Sequence, residues 1–224
     1  MRNITITSAI LTTLTVCGAN AATITWQDFA ITSNVSEVLT TGTAVKAVNS
    51  TSTQQVTANP TLTFAGTTFT STATTLNGNF NTDGWTPTVT GGTVAENTGY
   101  QSFLDYIDFS LNQGSGSAFT MDTFAGLTVG QEYALQVWYA VEGETRTMTL
   151  SGAAATTDSN ILQAGEYAIG TFTADAVTQT LMVQSSQSGI RLSGYQLRAI
   201  PEPSASMLVL GGLGVLLMQR RRRA

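Results

Sequence analysis

Glu132-Tyr-Ala-Leu-Gln-Val-Trp-Tyr-Ala-Val141 decides the fold class. Its odd positions, Tyr133, Leu135, Val137, Tyr139 and Val141, are all apolar, and on an extended chain residues two apart share a face. The stretch therefore reads as a β-strand with one face in a core. Trp138 falls on the opposite face, so it either packs on another layer or is exposed. The same period returns along the chain: Phe103, Ile107, Phe109 and Leu111 over 103–111, interrupted by Asp105; Met148 and Leu150 over 145–150; Leu181 and Val183 over 178–184. Further strands are expected at 23–32, 44–48, 61–65, 118–122, 167–174 and 189–198.

Two of these strands change face part-way. Tyr167 and Ile169 are odd while Phe172 is even, with Gly170 between; Ile190 and Leu192 are even while Tyr195 and Leu197 are odd, with Gly194 between. A β-bulge at each glycine would restore the register. Turn signals separate the strands: Asn77-Gly78, Asp83-Gly84, Gly91-Gly92, Val129-Gly130, Glu142-Gly143 and Ala164-Gly165. Short strands at this spacing predict an all-β fold, a single two-sheet β-sandwich, with no helix longer than a turn or two before residue 205.

Composition agrees. Thr is the commonest residue, charged residues make up 10% of the chain, and Lys occurs once, at Lys46. Thr, Val, Ile and the aromatics favour strands. Five of the nine basic residues, Arg2 and Arg220 to Arg223, lie at the extreme ends. Between residues 22 and 200 there are four basic residues (Lys46, Arg146, Arg191, Arg198) and thirteen acidic ones, a net charge of −9. Such a surface repels phosphate backbones and argues against a nucleic-acid partner.

Both ends read as targeting segments. Arg2 gives a positive start, residues 4–16 are apolar and uncharged, and Ala19-Asn20-Ala21 supplies the small residues that signal peptidase needs. Residues 1–21 are thus expected to be a signal peptide and the mature chain to begin near Ala22. The rival reading, a lipoprotein signal acylated at Cys17, places the bulky Val16 where a small residue is needed. At the other end Pro201-Glu202-Pro203 is followed by an apolar stretch to Met218 and then by Arg220, Arg221, Arg222 and Arg223. The prolines keep the motif extended. The apolar stretch is expected to form a short helix, marginal for spanning a bilayer, with the arginines stopping it at the cytoplasmic side.

This three-part end resembles the PEP-CTERM sorting signal of Gram-negative bacteria. The resemblance covers residues 200–224. It implies recognition of Pro201, Glu202 and Pro203 by an exosortase-like membrane enzyme, transient inner-membrane anchoring, and release to the cell surface or medium, often beside exopolysaccharide or biofilm matrix. A plain C-terminal tail anchor is the competing reading. A weaker resemblance lies in Gly126-Leu-Thr-Val-Gly-Gln-Glu-Tyr-Ala-Leu-Gln-Val-Trp-Tyr139, which is similar to the turn and central strand of jelly-roll, galactose-binding-like modules. The chain is accordingly divided into a signal peptide (1–21), a β-sandwich (22–199) and a sorting signal (200–224).

Chemistry is sparsely provided. There is no histidine, and the one cysteine, Cys17, lies in the segment expected to be removed. Ser-His-Asp and Cys-His catalysis and His-rich metal sites are excluded. Carboxylate catalysis needs two acids in one cleft. Asp105 and Asp108 are expected on opposite faces of one strand, and Glu142 and Glu144 at a solvated hairpin tip. Asn79, Asn81 and Asp83 before Gly84 echo the start of a calcium loop, but Thr90 stands where an EF-hand has Glu. Structural calcium is the one cofactor considered. Trp26, Trp85, Trp138 and Tyr100 are the candidate sugar-stacking residues, with Trp85, in a loop, and Trp138 put forward. The expected function is a non-catalytic exported surface or matrix protein; the alternative is a jelly-roll carbohydrate-binding module.

Overall fold

The computed structural model describes residues 22–51, 61–73, 79–81, 88–105, 107–110, 115–152 and 158–201. The chain forms β1 (Thr25–Ala30), a 3₁₀ turn (Val35–Glu37), β2 (Thr43–Thr51), β3 (Leu62–Phe64), β4 (Thr67–Ala73), β5 (Asn79–Asn81) and α1 (Val94–Asp105). There follow β6 (Ile107–Ser110), β7 (Ala118–Ala125), β8 (Glu132–Tyr139), β9 (Met148–Ser151), β10 (Asn160–Leu162), β11 (Glu166–Thr173), β12 (Thr178–Ser185), β13 (Ile190–Leu192) and β14 (Gly194–Ala199). A seven-stranded sheet runs β1-β11-β8-β14-β2-β4-β3, a four-stranded sheet β10-β9-β12-β7, and a three-stranded sheet β13-β6-β5. Among the described strands only β2 and β4 pair in parallel. The described residues form a mostly-β sandwich with one α-helix.

β8 lies inside the large sheet, antiparallel to both β11 and β14. Its odd residues Tyr133, Leu135, Val137 and Tyr139 enter a first core with Met148, Leu150, Leu181 and Val183 of the four-stranded sheet. Its other face is buried too. Trp138 and Ala140 belong to a second core with Phe64, Phe69, Tyr100, Phe103 and Leu104. The large sheet is therefore covered on both sides, by the smaller sheet on one and by α1 with the loops around it on the other.

α1 corrects the expectation of no helix before residue 205. Its start is built by Thr93 and Glu96: the Thr93 N–H donates to Glu96 Oε2 (2.9 Å), and the Glu96 N–H donates to Thr93 Oγ1 (3.3 Å). This is a capping box, which satisfies two amides that have no partner within the helix. The hydrogen bonds from Thr93 hold the Glu96 carboxyl below its ordinary range. Tyr100, Phe103 and Leu104, spaced i, i+3, i+4, turn one face into the second core. The run 103–111 is thus not one strand: the helix ends at Asp105 and β6 begins at Ile107.

The bulges expected at Gly170 and Gly194 are also corrected. The pairings of β11 with β1 and β8 are in continuous register through Gly170. Its residues alternate because both faces are buried: Ala168 and Phe172 enter the first core, while Tyr167 enters the second and Ile169 packs against it. The run 189–198 is two strands, and the chain changes sheet at Ser193, whose N–H donates to Trp138 O (3.0 Å). The glycines serve close approach instead. A Cβ at Gly170 would lie 2.5 Å from Ile24 Cγ2, and one at Gly194 2.4 Å from Val48 O and 2.5 Å from the Phe103 ring. Register shifts occur between Leu181 and Met182 and between Leu197 and Arg198.

Candidate functional site

The two ends of the domain meet at one end of the large sheet. Pairing puts Thr25 opposite Thr171, Thr173 opposite Glu132, and Tyr133 opposite Ala199. Ala22, Thr23, Thr25, Glu132, Thr171, Phe172, Thr173 and Asp175 line an open groove of about 390 Å³ there. Beside it the last strand is tied off. The Ile200 N–H donates to Glu132 O (2.9 Å), the Gln131 side-chain amide donates to Ile200 O, and Pro201 is exposed. The groove offers threonine hydroxyls and two carboxylates and no basic side chain, so it suits hydroxylated or positively charged groups.

The candidate stacking residues divide. Trp138 packs on the second layer and is fully buried. Phe69 and Phe103 stand edge-on to its ring, with centroids 5.9 and 5.1 Å away, and its Nε1 donates to Tyr100 Oη (3.2 Å). A ring enclosed in this way offers no face to a sugar. Tyr100 donates in turn to Glu37 Oε2 (3.1 Å); burial first, and then the Glu37 charge, push its hydroxyl far above the ordinary range. Trp85 lies outside the described residues. So do Asp83, Glu202, Pro203, Arg220, Arg221, Arg222 and Arg223. Asn79 and Asn81 fall in β5, paired with β6. Among the described residues no three His, Cys, Asp or Glu side chains gather as a metal site.

The candidate acids differ in their surroundings. Asp105 ends α1, and partial burial raises its pKa. Glu142 is exposed, but Glu144 is not the solvated tip residue expected. Glu144 bonds Arg191 Nη1 (3.0 Å) and Arg146 Nη2 (3.4 Å), and accepts from Tyr139 Oη (3.1 Å). Burial and the Glu144 charge hold the Tyr139 hydroxyl well above its usual range. The Arg146 and Glu144 side chains are 9% and 16% exposed, so removing the acid would leave a nearly buried guanidinium short of its counterion. Glu144→Ala is expected to cost about 2 kcal/mol and Glu142→Ala nothing measurable. Thermal melts of the two variants beside wild type check this. Elsewhere Lys46 bonds Asp122 (2.5 Å), which also accepts from Tyr195 Oη (2.8 Å), stitching β2 and β14 to β7 across the sandwich edge.

Strands over 23–32 and 167–174 were expected from sequence, but only the register reveals that Thr23, Thr25, Thr171 and Thr173 share a groove with Glu132. No protein-family model and no curated protein matches the chain. Among solved structures, a family GH115 4-O-methyl-α-glucuronidase with specificity for decorated arabinogalactans is similar over 44% of this chain, at 14% identity and a TM-score of 0.31. The match spans 15% of that enzyme's length. A likeness this slight bears on neither mechanism nor substrate. Among the described residues no helix is long and apolar enough to cross a membrane.

Proposed function

We propose that the protein is an exported, non-catalytic cell-surface or extracellular-matrix protein of jelly-roll type. A PEP-CTERM/exosortase-type system sorts it, and it works beside exopolysaccharide or biofilm matrix. One observation carries the reading. The last described strand, β14, is tied off at Ile200, whose N–H donates to Glu132 O, and the next residue, Pro201, is exposed. Pro201-Glu202-Pro203 therefore begins where the last strand of the central sheet is tied off, which suits a motif that an enzyme must reach. The apolar stretch and the four arginines after it would hold the motif at the membrane face during processing.

Glu202→Ala is expected to leave the protein exported but membrane-held and uncut, while Leu208→Ile is processed as wild type, because apolar character is kept. Fractionation in a host that carries the processing enzyme reads the difference. Normal release of Glu202→Ala would show that the motif is not what is recognised and return the C-terminus to a plain anchor.

The groove supports a second reading, a carbohydrate-binding module, because hydroxyls and carboxylates hydrogen-bond sugar hydroxyls. A glycan-array screen of the protein with and without calcium decides between the two. A specific glycan signal lost in Glu132→Ala would favour the module.

A further inference from the structure

Two buried oxygen atoms near Ala22 have no hydrogen-bond partner among the described residues. Asp158 is 3% exposed; its Oδ2 accepts from the N–H groups of Ile24 (3.3 Å) and Gly152 (3.2 Å), while its Oδ1 accepts nothing. Gln179, also 3% exposed, donates from Nε2 to Ala22 O (3.3 Å), while its Oε1 accepts nothing. The two side chains converge over Gly152, where a Cβ would lie 2.6 Å from Asp158 Oδ2 and 2.8 Å from Gln179 Nε2. Ala22 is itself buried. A carboxylate in such a place requires a positive or strongly donating partner.

The basic side chains of the domain are engaged elsewhere. Lys46 is on Asp122, Arg146 and Arg191 are on Glu144, and Arg198 is on backbone carbonyls. A divalent ion fits poorly, because Asp158 is a single carboxylate and calcium takes six to eight oxygens. One charge remains. Hydrolysis of the Ala21–Ala22 bond leaves a carboxylate on Ala21 and an α-ammonium group on Ala22. We infer that this ammonium group pairs with Asp158 Oδ1 and Gln179 Oε1, locking the first strand of the processed chain onto the four-stranded sheet. The inference rests on the export reading above, in which residues 1–21 are removed. Glu132 and Asp175, which line the groove beside Ala22, add negative charge that favours the same cation.

The test compares two forms of the chain through Ala224 in detergent, each cut from a fusion in vitro so that its start is known. One begins at Ala22 and the other carries one Gly before it, and each is made in wild type and in Asp158→Asn. The added Gly should lower the melting temperature by roughly 5 °C or more in wild type and far less in Asp158→Asn, where the pair is already lost. Equal effects in both backgrounds, or none in wild type, would overturn the lock. Should Asp158→Asn not fold, acylating the α-amino group of the wild-type form removes its charge and should reproduce the loss; an unchanged melt then overturns it. N-terminal sequencing of the exported protein separates the two levels. A start other than Ala22 sinks the processing reading and the lock with it, whereas a start at Ala22 with uncoupled melts sinks the lock alone.

Discussion

Val137→Asp should lower stability by about 3–5 kcal/mol. Val137 is fully buried in the first core, on an interior strand of the large sheet, and Leu135 and Tyr139 share its face. It pairs with Ala168 of β11 on one side and Tyr195 of β14 on the other. A carboxylate there would face apolar residues of the four-stranded sheet, because the nearest polar groups of β8, Gln136 and Trp138, point to the opposite face. For a domain of this size the loss corresponds to a fall of roughly 10 °C or more in melting temperature. Val177→Asp, the same chemical change at an exposed turn position, should stay within about 0.5 kcal/mol of wild type. Differential scanning calorimetry of both variants is the measurement. An unchanged transition in Val137→Asp would mean that β8 does not carry the core.

That assignment was legible because one face of β8 is apolar without exception. The other face was not legible, since Ala134 and Gln136 look like solvent residues and only Trp138 hints at a layer beyond. α1 was hidden for two reasons. Its first half, with Asn97, Thr98 and Gly99, is poor in helix formers, and the spacing of Phe103, Ile107 and Phe109 imitates a strand across the join between helix and β6. The local signal that could have revealed it is Thr93-Val-Ala-Glu96, the capping box. Face changes at Gly170 and Gly194 were read as bulges because a strand buried on both faces and a chain that changes sheets leave the same mark on parity. Nor does sequence disclose Asp158, a lone acid in no motif, whose significance lies in what surrounds it in space. The proposed sorting motif is the reverse case: that reading rests on residue order alone, and the structure contributes only an exposed Pro201.

Arg198→Ala should destabilise the protein by about 3 kcal/mol, although nothing in its sequence context marks it out. Arg198 is 7% exposed, and its guanidinium spans the second face of the sheet. Its Nε donates to Thr41 O (2.9 Å), its Nη2 to Thr40 O (2.9 Å) and Gly42 O (2.7 Å), and its Nη1 to Thr67 Oγ1 (2.9 Å). Burial pulls its pKa below the ordinary value, and carbonyl dipoles stabilise the charge; no carboxylate among the described residues forms an ion pair with it. Beside it Gln196 donates to Leu39 O (3.0 Å), and Gln136 donates to Glu37 O (2.8 Å) and accepts from the Leu39 N–H (2.8 Å). The three side chains form a polar ladder that straps residues 37–42 over the sheet, where that segment enters β2. Truncating Arg198 leaves three carbonyls and a hydroxyl without their donor and opens the strap at its β2 end. Arg198→Lys should recover only part of the loss, because a compact ammonium cannot reproduce the planar fork that reaches Thr40, Thr41, Gly42 and Thr67 together. Hydrogen exchange separates this local strap from a general loss of stability. In Arg198→Ala the amides of residues 39–42 should exchange faster relative to those of β8 and β11. If all three regions accelerate together, or Arg198→Lys matches wild type in the melt, the ladder does not act as a strap.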